Sequence, residues 1–314
     1  MANSDSTSLS LPTQLSGVDI LSKLVARVGD YINLMKPKII VLLLISTVCP
    51  MVFAAAGAVD WIKIIAALVG GALVSGSASA MNCIWDRDID AVMERTKDRP
   101  LAAGRVSVFE ALVFSFAIGV AGLFILQKYL NPLAAAISLS GHLFYVFIYT
   151  IWLKRKTPQN IVIGGAAGAF PPLVGWAGVT GSLDITSFYL FMIIFLWTPP
   201  HFWALALNKN EDYKRAGVPM LPVVAGERET HLQMFAYALS LLPVTFLFLL
   251  SNSQLGLFSW TVLLSLGVTF LYKCWLLMEG RPEQRVKLAW DVFGFSLIYL
   301  AFFFVSLVVD STVL

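Results

Sequence analysis

The sequence predicts an all-α polytopic membrane protein, a nine-transmembrane-helix bundle with two cytoplasmic motif-bearing loops. Three observations predict it. Apolar residues make up 58% of the chain and charged residues only 13%, against about 45–50% and 25% in soluble domains. Nine segments approach the roughly 20 apolar residues that a crossing requires. They are residues 39–57, 61–83, 108–126, 132–152, 160–180, 185–207, 232–251, 255–278 and 289–309. Under that arrangement 19 of the 22 Lys and Arg fall on one side, the side that positive charge marks as cytoplasmic.

Taken in order, residues 1–30 are polar and Ser-rich, with Asp5 and Asp19. They lack the apolar core of a secretory signal and the Arg-rich, acid-poor composition of a transit peptide. A mobile tail is expected here, leading to a short amphipathic segment near 18–34, with a single membrane domain over 31–314. Several spans carry Gly and Pro, which neighbouring helices accommodate. Gly70-Gly71-Ala72 and the group Gly164, Gly165 and Gly168 read as close-packing surfaces. Cys49, Cys83 and Cys274 are scattered, without a CxxC pair, which argues against a disulfide framework or a thiolate zinc site. A net charge of +3 spread over loops argues against nucleic acid as a partner.

The connections after the second and sixth spans run to about two dozen residues each, and long connections between packed elements tend to carry function. In the first, Asn82, Asp86, Asp90 and Glu94 recur every four residues. On one helix these form a stripe, with like charges that repel. Carboxylates near membrane depth are expensive, and a cation between them removes both costs. Hard oxygen ligands without His or Cys suit Mg²⁺, whose shell is completed by water and substrate phosphates. Arg95, Lys97 and Arg99 follow directly, placing positive charge where a bridged diphosphate needs it. A solvated, mixed-charge helix end is the plainer alternative.

Asn82-x3-Asp86-x3-Asp90, running into Arg95-Thr-Lys-Asp-Arg99-Pro-Leu, resembles the first motif of the intramembrane aromatic prenyltransferase superfamily. Met35-Lys-Pro-Lys-Ile39, the Gly-rich stretch from Asn160 to Pro172, Pro200-His-Phe-Trp-Ala-Leu205 and the stretch from Asp212 to Val224 resemble its heme-farnesylating branch. The likeness covers roughly residues 30–310. It implies a nine-helix enzyme that transfers a farnesyl group from farnesyl diphosphate to a vinyl group of protoheme IX, with addition of water. It also implies an Mg²⁺ cofactor, a bacterial plasma (inner) membrane and an active site facing the cytoplasm. The partners it implies beyond the lipid bilayer are downstream heme-modifying enzymes or heme–copper oxidase assembly proteins.

The implied ligands of Mg²⁺ are Asn82, Asp86 and Asp90. The implied diphosphate contacts are Lys36, Arg95, Arg99, Lys154 and Arg155, of which the last two suit a heme propionate as well. The second motif of the superfamily has two aspartates four apart. Aligning on Gly217 and Leu221-Pro-Val, the favoured register because its downstream match is longer, puts Lys209 and Tyr213 there; Asn208-x3-Asp212 is a weaker echo of the first motif in another register. Lys209, Asp212 and Tyr213 therefore stand as catalytic candidates. His201 and His142 are candidates for heme ligation, with an interhelical hydrogen bond as the competing role; His231 is expected to be solvated. Phe202, Trp203 and Tyr149 are candidates for the wall of the farnesyl site. A phenolic or quinone-precursor acceptor is the rival within the enzyme class. Outside it the rival is a cation-coupled transporter, which would hold its carboxylates nearer the midplane.

Overall fold

In the computed structural model, which describes residues 17–58 and 60–312, every expected span is helical. Nine helices among these residues are long and apolar enough to cross a membrane, and no strand occurs among them. The crossing segments are α2 (Pro37–Ala54), α3 (Trp61–Trp85), α5 (Val108–Tyr129) and α6 (Pro132–Leu143), the last continued by a π-helical segment, Phe144–Leu153. The fifth span is broken into α7 (Asn160–Gly165), a 3₁₀ turn and α8 (Phe170–Thr180). Then come α9 (Ile185–Asn208), α12 (Gly226–Ser251), α13 (Leu257–Glu279) and α14 (Arg285–Thr312). Short helices α4 (Arg87–Val92), α10 (Asn210–Arg215) and α11 (Leu221–Val224) fill the two long connections.

Local chemistry sets the ends. Ser107 and Glu110 form a reciprocal capping box at the start of α5, and Asp184 with Ser187 does the same for α9. Asp60 caps α3 through the Ile62 amide at 2.8 Å. Packing then follows the small residues. A Cβ added at Gly122 on α5 would lie 2.8 Å from the Gly70 carbonyl on α3, so only glycine permits that crossing. Gly164 lies against Tyr149 and Gly165 against Thr198, as expected of packing glycines, whereas Gly168 meets nothing within 4 Å. The largest apolar cluster draws mainly on the second half of the chain, with Leu190, Phe248, Tyr299 and Phe303, and takes in Phe53, Ile89 and Met93 from the first.

The amphipathic segment expected near 18–34 is one helix, α1 (Gly17–Met35), with Leu34 fully enclosed. The mobile character expected of residues 1–16 falls outside the described residues. The amphipathic pattern near 18–34 was the signal, and packing against α5 and α3 extends it into a docked helix. A single residue, Lys36, joins α1 to α2, in the left-handed region with φ 59°.

Candidate active site

The acidic stripe is not one continuous helix. Helix α3 stops at Trp85, Asp86 stands at the junction, and α4 restarts and ends at Val92. Glu94 is thereby lost from the stripe; it is exposed and pairs with Lys97 at 2.6 Å. Asn82, Asp86 and Asp90 remain, each buried to 3% exposure or less.

Three cations converge on them. Lys36 donates to Asn82 Oδ1 at 2.6 Å, and Asn82 donates through Nδ2 to Asp86 Oδ2 at 2.7 Å and to Thr150 Oγ1 at 3.0 Å. Lys154, at the end of the π-helical segment, pairs with Asp86 Oδ2. Arg99 Nη1 reaches both oxygens of Asp90 at 2.8 Å. Burial pulls the Lys36 pKa below the ordinary lysine value, and Arg99 and Lys154 act in the same direction. For Arg99, burial opposes the charge, but Asp90 more than offsets it and the pKa is raised. Two carboxylates against three cations leave the cluster net positive, the balance that suits an anionic ligand.

The remaining oxygen of Asp86, Oδ1, is buried without a hydrogen-bond partner. Buried acceptors are nearly always satisfied, so this oxygen is open to a donor or a cation. Among the described residues no group of three or more His, Cys, Asp or Glu is gathered for a metal. A hard cation that keeps waters and takes phosphate oxygens needs no such group, and an orphaned carboxylate oxygen beside Asn82 and Asp90 fits it.

The other candidates separate. Arg155 is partly exposed and holds both oxygens of Asp88, at 2.6 and 2.7 Å, and the Trp85 carbonyl at 2.6 Å, locking the α3–α4 corner. That guanidinium holds the Asp88 carboxyl at about 2. Arg95 is exposed. Lys209 stands half-buried at the junction of α9 and α10, Asp212 pairs with Arg215, and Tyr213 is buried in the apolar cluster that also contains Ile89 and Met93. The two polar segments thus meet. A cleft of about 280 Å³ between them is lined by Asp88, Ile89, Val92, Arg155, Arg215, Ala216 and Gly217. Asn208 and Asn210 add buried amide oxygens without partners.

His201 is enclosed between Trp197 and Phe293, with ring centroids 4.3 and 4.8 Å away, and its Nδ1 meets Ser296 Oγ at 2.6 Å. His142 Nδ1 lies 3.4 Å from the Val74 carbonyl, three helical turns along α3 from Asp86. The structure does not bring the two rings to one place with the acidic cluster. His231 is 2% exposed, contrary to the solvated position expected, because α12 begins at Gly226 and carries it into the bundle. Trp203 is fully enclosed and packs edge-on against Tyr237 at 5.7 Å, so it belongs to the core rather than a substrate wall. Thr150, Asp88 and Ser296 were missed in the sequence; each is an ordinary polar residue whose partner lies 65 or more positions away.

Comparison with known proteins bears on this arrangement. The UbiA prenyltransferase family model matches residues 42–307. A protoheme IX farnesyltransferase of Synechocystis sp. is 48% identical over 282 residues, covering 90% of this chain and 89% of its own. One from Gloeobacter violaceus is 49% identical over 295 residues, covering 92% and 94%. Among solved structures, a digeranylgeranylglyceryl phosphate synthase superposes with a TM-score of 0.75 at 20% identity, covering 92% of this chain and 100% of its own. A UbiA homolog from Archaeoglobus fulgidus bound to GPP and Mg²⁺ gives 0.59 at 16%, covering 88% and 99%. With its nine apolar helices and its acidic cluster beside three convergent cations, the chain is an integral membrane protein that belongs to the UbiA prenyltransferase family.

Proposed function

We propose that residues 31–314 form one domain that transfers a farnesyl group from farnesyl diphosphate to a vinyl group of protoheme IX, with addition of water, giving heme O and diphosphate. The observation that carries the diphosphate half is the convergence of Lys36, Arg99 and Lys154 on Asn82, Asp86 and Asp90, with Asp86 Oδ1 left free. The acceptor rests on the relatives, which carry the name protoheme IX farnesyltransferase at 48–49% identity over nearly their full length.

Asn82, Asp86 and Asp90 would hold Mg²⁺. When bound, it neutralises charge on the diphosphate oxygens and favours the leaving group's departure. Lys36, Lys154 and Arg99 bind the same group, and their charges are in place before the allylic bond breaks. They stabilise the separated diphosphate more than the intact ester, and that difference is what lowers a barrier. Arg155 and Arg215, either side of the cleft between the loops, suit the carboxylates of a heme propionate. Lys209 and Asp212 stand on the same side for the diphosphate and a further cation. His201 keeps Nε2 for a heme, since Nδ1 is committed to Ser296.

On the side bias of Lys and Arg, this reading puts the N-terminus and the site on the cytoplasmic side and the C-terminus opposite, with a bacterial plasma membrane as the proposed location. A product anchored in the bilayer suits hand-over to heme-modifying or oxidase-assembly proteins. The test is to supply the chain in nanodiscs with farnesyl diphosphate and either protoheme or a phenolic acid. A farnesyl-plus-water mass on heme supports the proposal. Prenylation of the phenol alone moves the chain to the quinone-precursor branch.

A further inference from the structure

Helix α1 turns an apolar stripe away from the bundle. Leu21, Leu24, Val25, Val28 and Ile32 are each 49–64% exposed, and at helical spacing they share one face about 100° wide. The opposite face is the docked one. There Arg27 pairs with Glu110 on α5, Arg105 meets Asp30 at 3.0 Å, and the Tyr31 ring lies 4.9 Å from that of Phe114. The helices next to α1 also carry exposed apolar side chains: Ile39 and Val41 at the start of α2, and Phe109, Val113 and Phe116 on α5. The stripe therefore adds to the belt that the spans present to the bilayer. An amphipathic helix leading directly into a span lies in the interface plane with its apolar face toward the acyl chains.

The connection makes this placement matter. Lys36 is the whole link between α1 and α2, its backbone held at φ 59° and its ammonium 2.6 Å from Asn82 Oδ1. No loop absorbs a movement of α1, so a roll or lift of the helix moves Lys36 relative to the acidic cluster. We propose that α1 is seated in the cytoplasmic leaflet by this stripe, and that the seat positions Lys36 against Asn82. The bilayer is then a partner of the site as well as its solvent. The coupling to Lys36 rests on the reading of Asn82 as part of the diphosphate site; the seating does not.

The experiment uses the full chain in phospholipid nanodiscs, in a Cys49→Ala background, because Cys83 and Cys274 are buried. A spin label at Val28→Cys is expected to collide more with oxygen, which dissolves in the acyl region, than with a water-soluble nickel complex. Ala26→Cys, off the stripe, is expected to show the reverse. A Val28 label open to nickel overturns the seat, and so does dipolar coupling between Val28 labels of two copies, which identifies a second chain as the occupant. For the coupling, Val25→Glu/Val28→Glu is expected to raise KM for prenyl diphosphate about tenfold, the scale of one charged hydrogen bond. Ala26→Glu, the same charge off the stripe, leaves KM within about twofold. An unchanged KM in the double variant, once its helix is shown by the label to have left the lipid, overturns the coupling. The label measurement needs no turnover, so its failure is separable from a failure of the reaction assignment.

Discussion

Lys154 pairs with one carboxylate oxygen of Asp86 while the other, Oδ1, is enclosed and has no hydrogen-bond partner. The pair joins the corner between α3 and α4 to the end of the fourth span, 68 residues away. Half of this carboxylate is thus engaged by a protein cation, and half has no partner within the chain.

Removing Asp86 strands a lysine whose side chain is only 13% exposed. Breaking a buried pair from one side costs about 3–5 kcal/mol, so Asp86→Ala is expected to lower the thermal midpoint markedly. Asp86→Asn/Lys154→Met, which removes both charges, regains most of that stability and none of the turnover. Unfolding in nanodiscs checks this; a double variant as unstable as Asp86→Ala contradicts it.

Arg99 spans both oxygens of Asp90 from a single nitrogen. Arg99→Lys keeps the charge but gives up the guanidinium nitrogens that Asp90 leaves free for a diphosphate. We expect KM for prenyl diphosphate to rise about tenfold, from the loss of one charge-assisted bond. Arg99→Gln, without the charge, lowers kcat as well. Steady-state kinetics on the two variants separates the roles of shape and charge.

Helix packing gives a contrast that needs no substrate. Gly122→Ala pushes a methyl into the Gly70 backbone of α3, and overpacking of this kind costs about 1–3 kcal/mol. Gly168→Ala meets open space and leaves stability within about 1 kcal/mol. Equal losses for the two overturn the packing account.

His201 and Ser296 supply a test of heme contact. If Nε2 faces the heme, Ser296→Ala alters the partner of the opposite nitrogen and weakens the complex roughly 10–100-fold, with a shifted Soret band. His201→Phe keeps the stack between Trp197 and Phe293 and abolishes the shift. Identical heme spectra in all three proteins assign His201 to helix packing alone.

The Asp88–Arg155 clamp has a defined pH window. Arg155 holds the Asp88 carboxyl at about 2, below the unfolded value of about 3.9. A depressed carboxyl stabilises the fold above the unfolded pKa, and the gain fades as pH falls through the folded one. The pair is largely exposed, so its worth is under about 1 kcal/mol. The small loss in Asp88→Asn should be the same at pH 7 and 5 and shrink between about pH 4 and 2.

The spans were legible because a bilayer crossing leaves a long, one-dimensional record. All nine appear within a few residues of their expected positions, apart from the earlier starts of the seventh and ninth. The first motif was legible as Asn82, Asp86 and Asp90, but the break at Asp86 was not. A four-residue spacing reads the same on one helix as on two short ones, so Glu94 was carried along wrongly. Which cation meets which carboxylate was also hidden. Lys154 and Arg155 are adjacent in sequence, yet one enters the buried cluster and the other clamps exposed Asp88. His231 was misplaced for a similar reason: the charged first turn of α12 looks like a loop until the bundle covers it.

The most direct measurement supplies nanodisc-held wild type and Asp86→Asn with protoheme, farnesyl diphosphate and Mg²⁺ or a chelator, and weighs the extracted hemes. The account predicts a farnesyl-plus-water adduct for wild type with Mg²⁺. It predicts loss of at least about a hundredfold with the chelator and in the variant, the scale expected when an electrostatic group is removed from a transition state. Undiminished product from folded Asp86→Asn, or product indifferent to the chelator, would contradict the assignment of that carboxylate to the metal and its diphosphate.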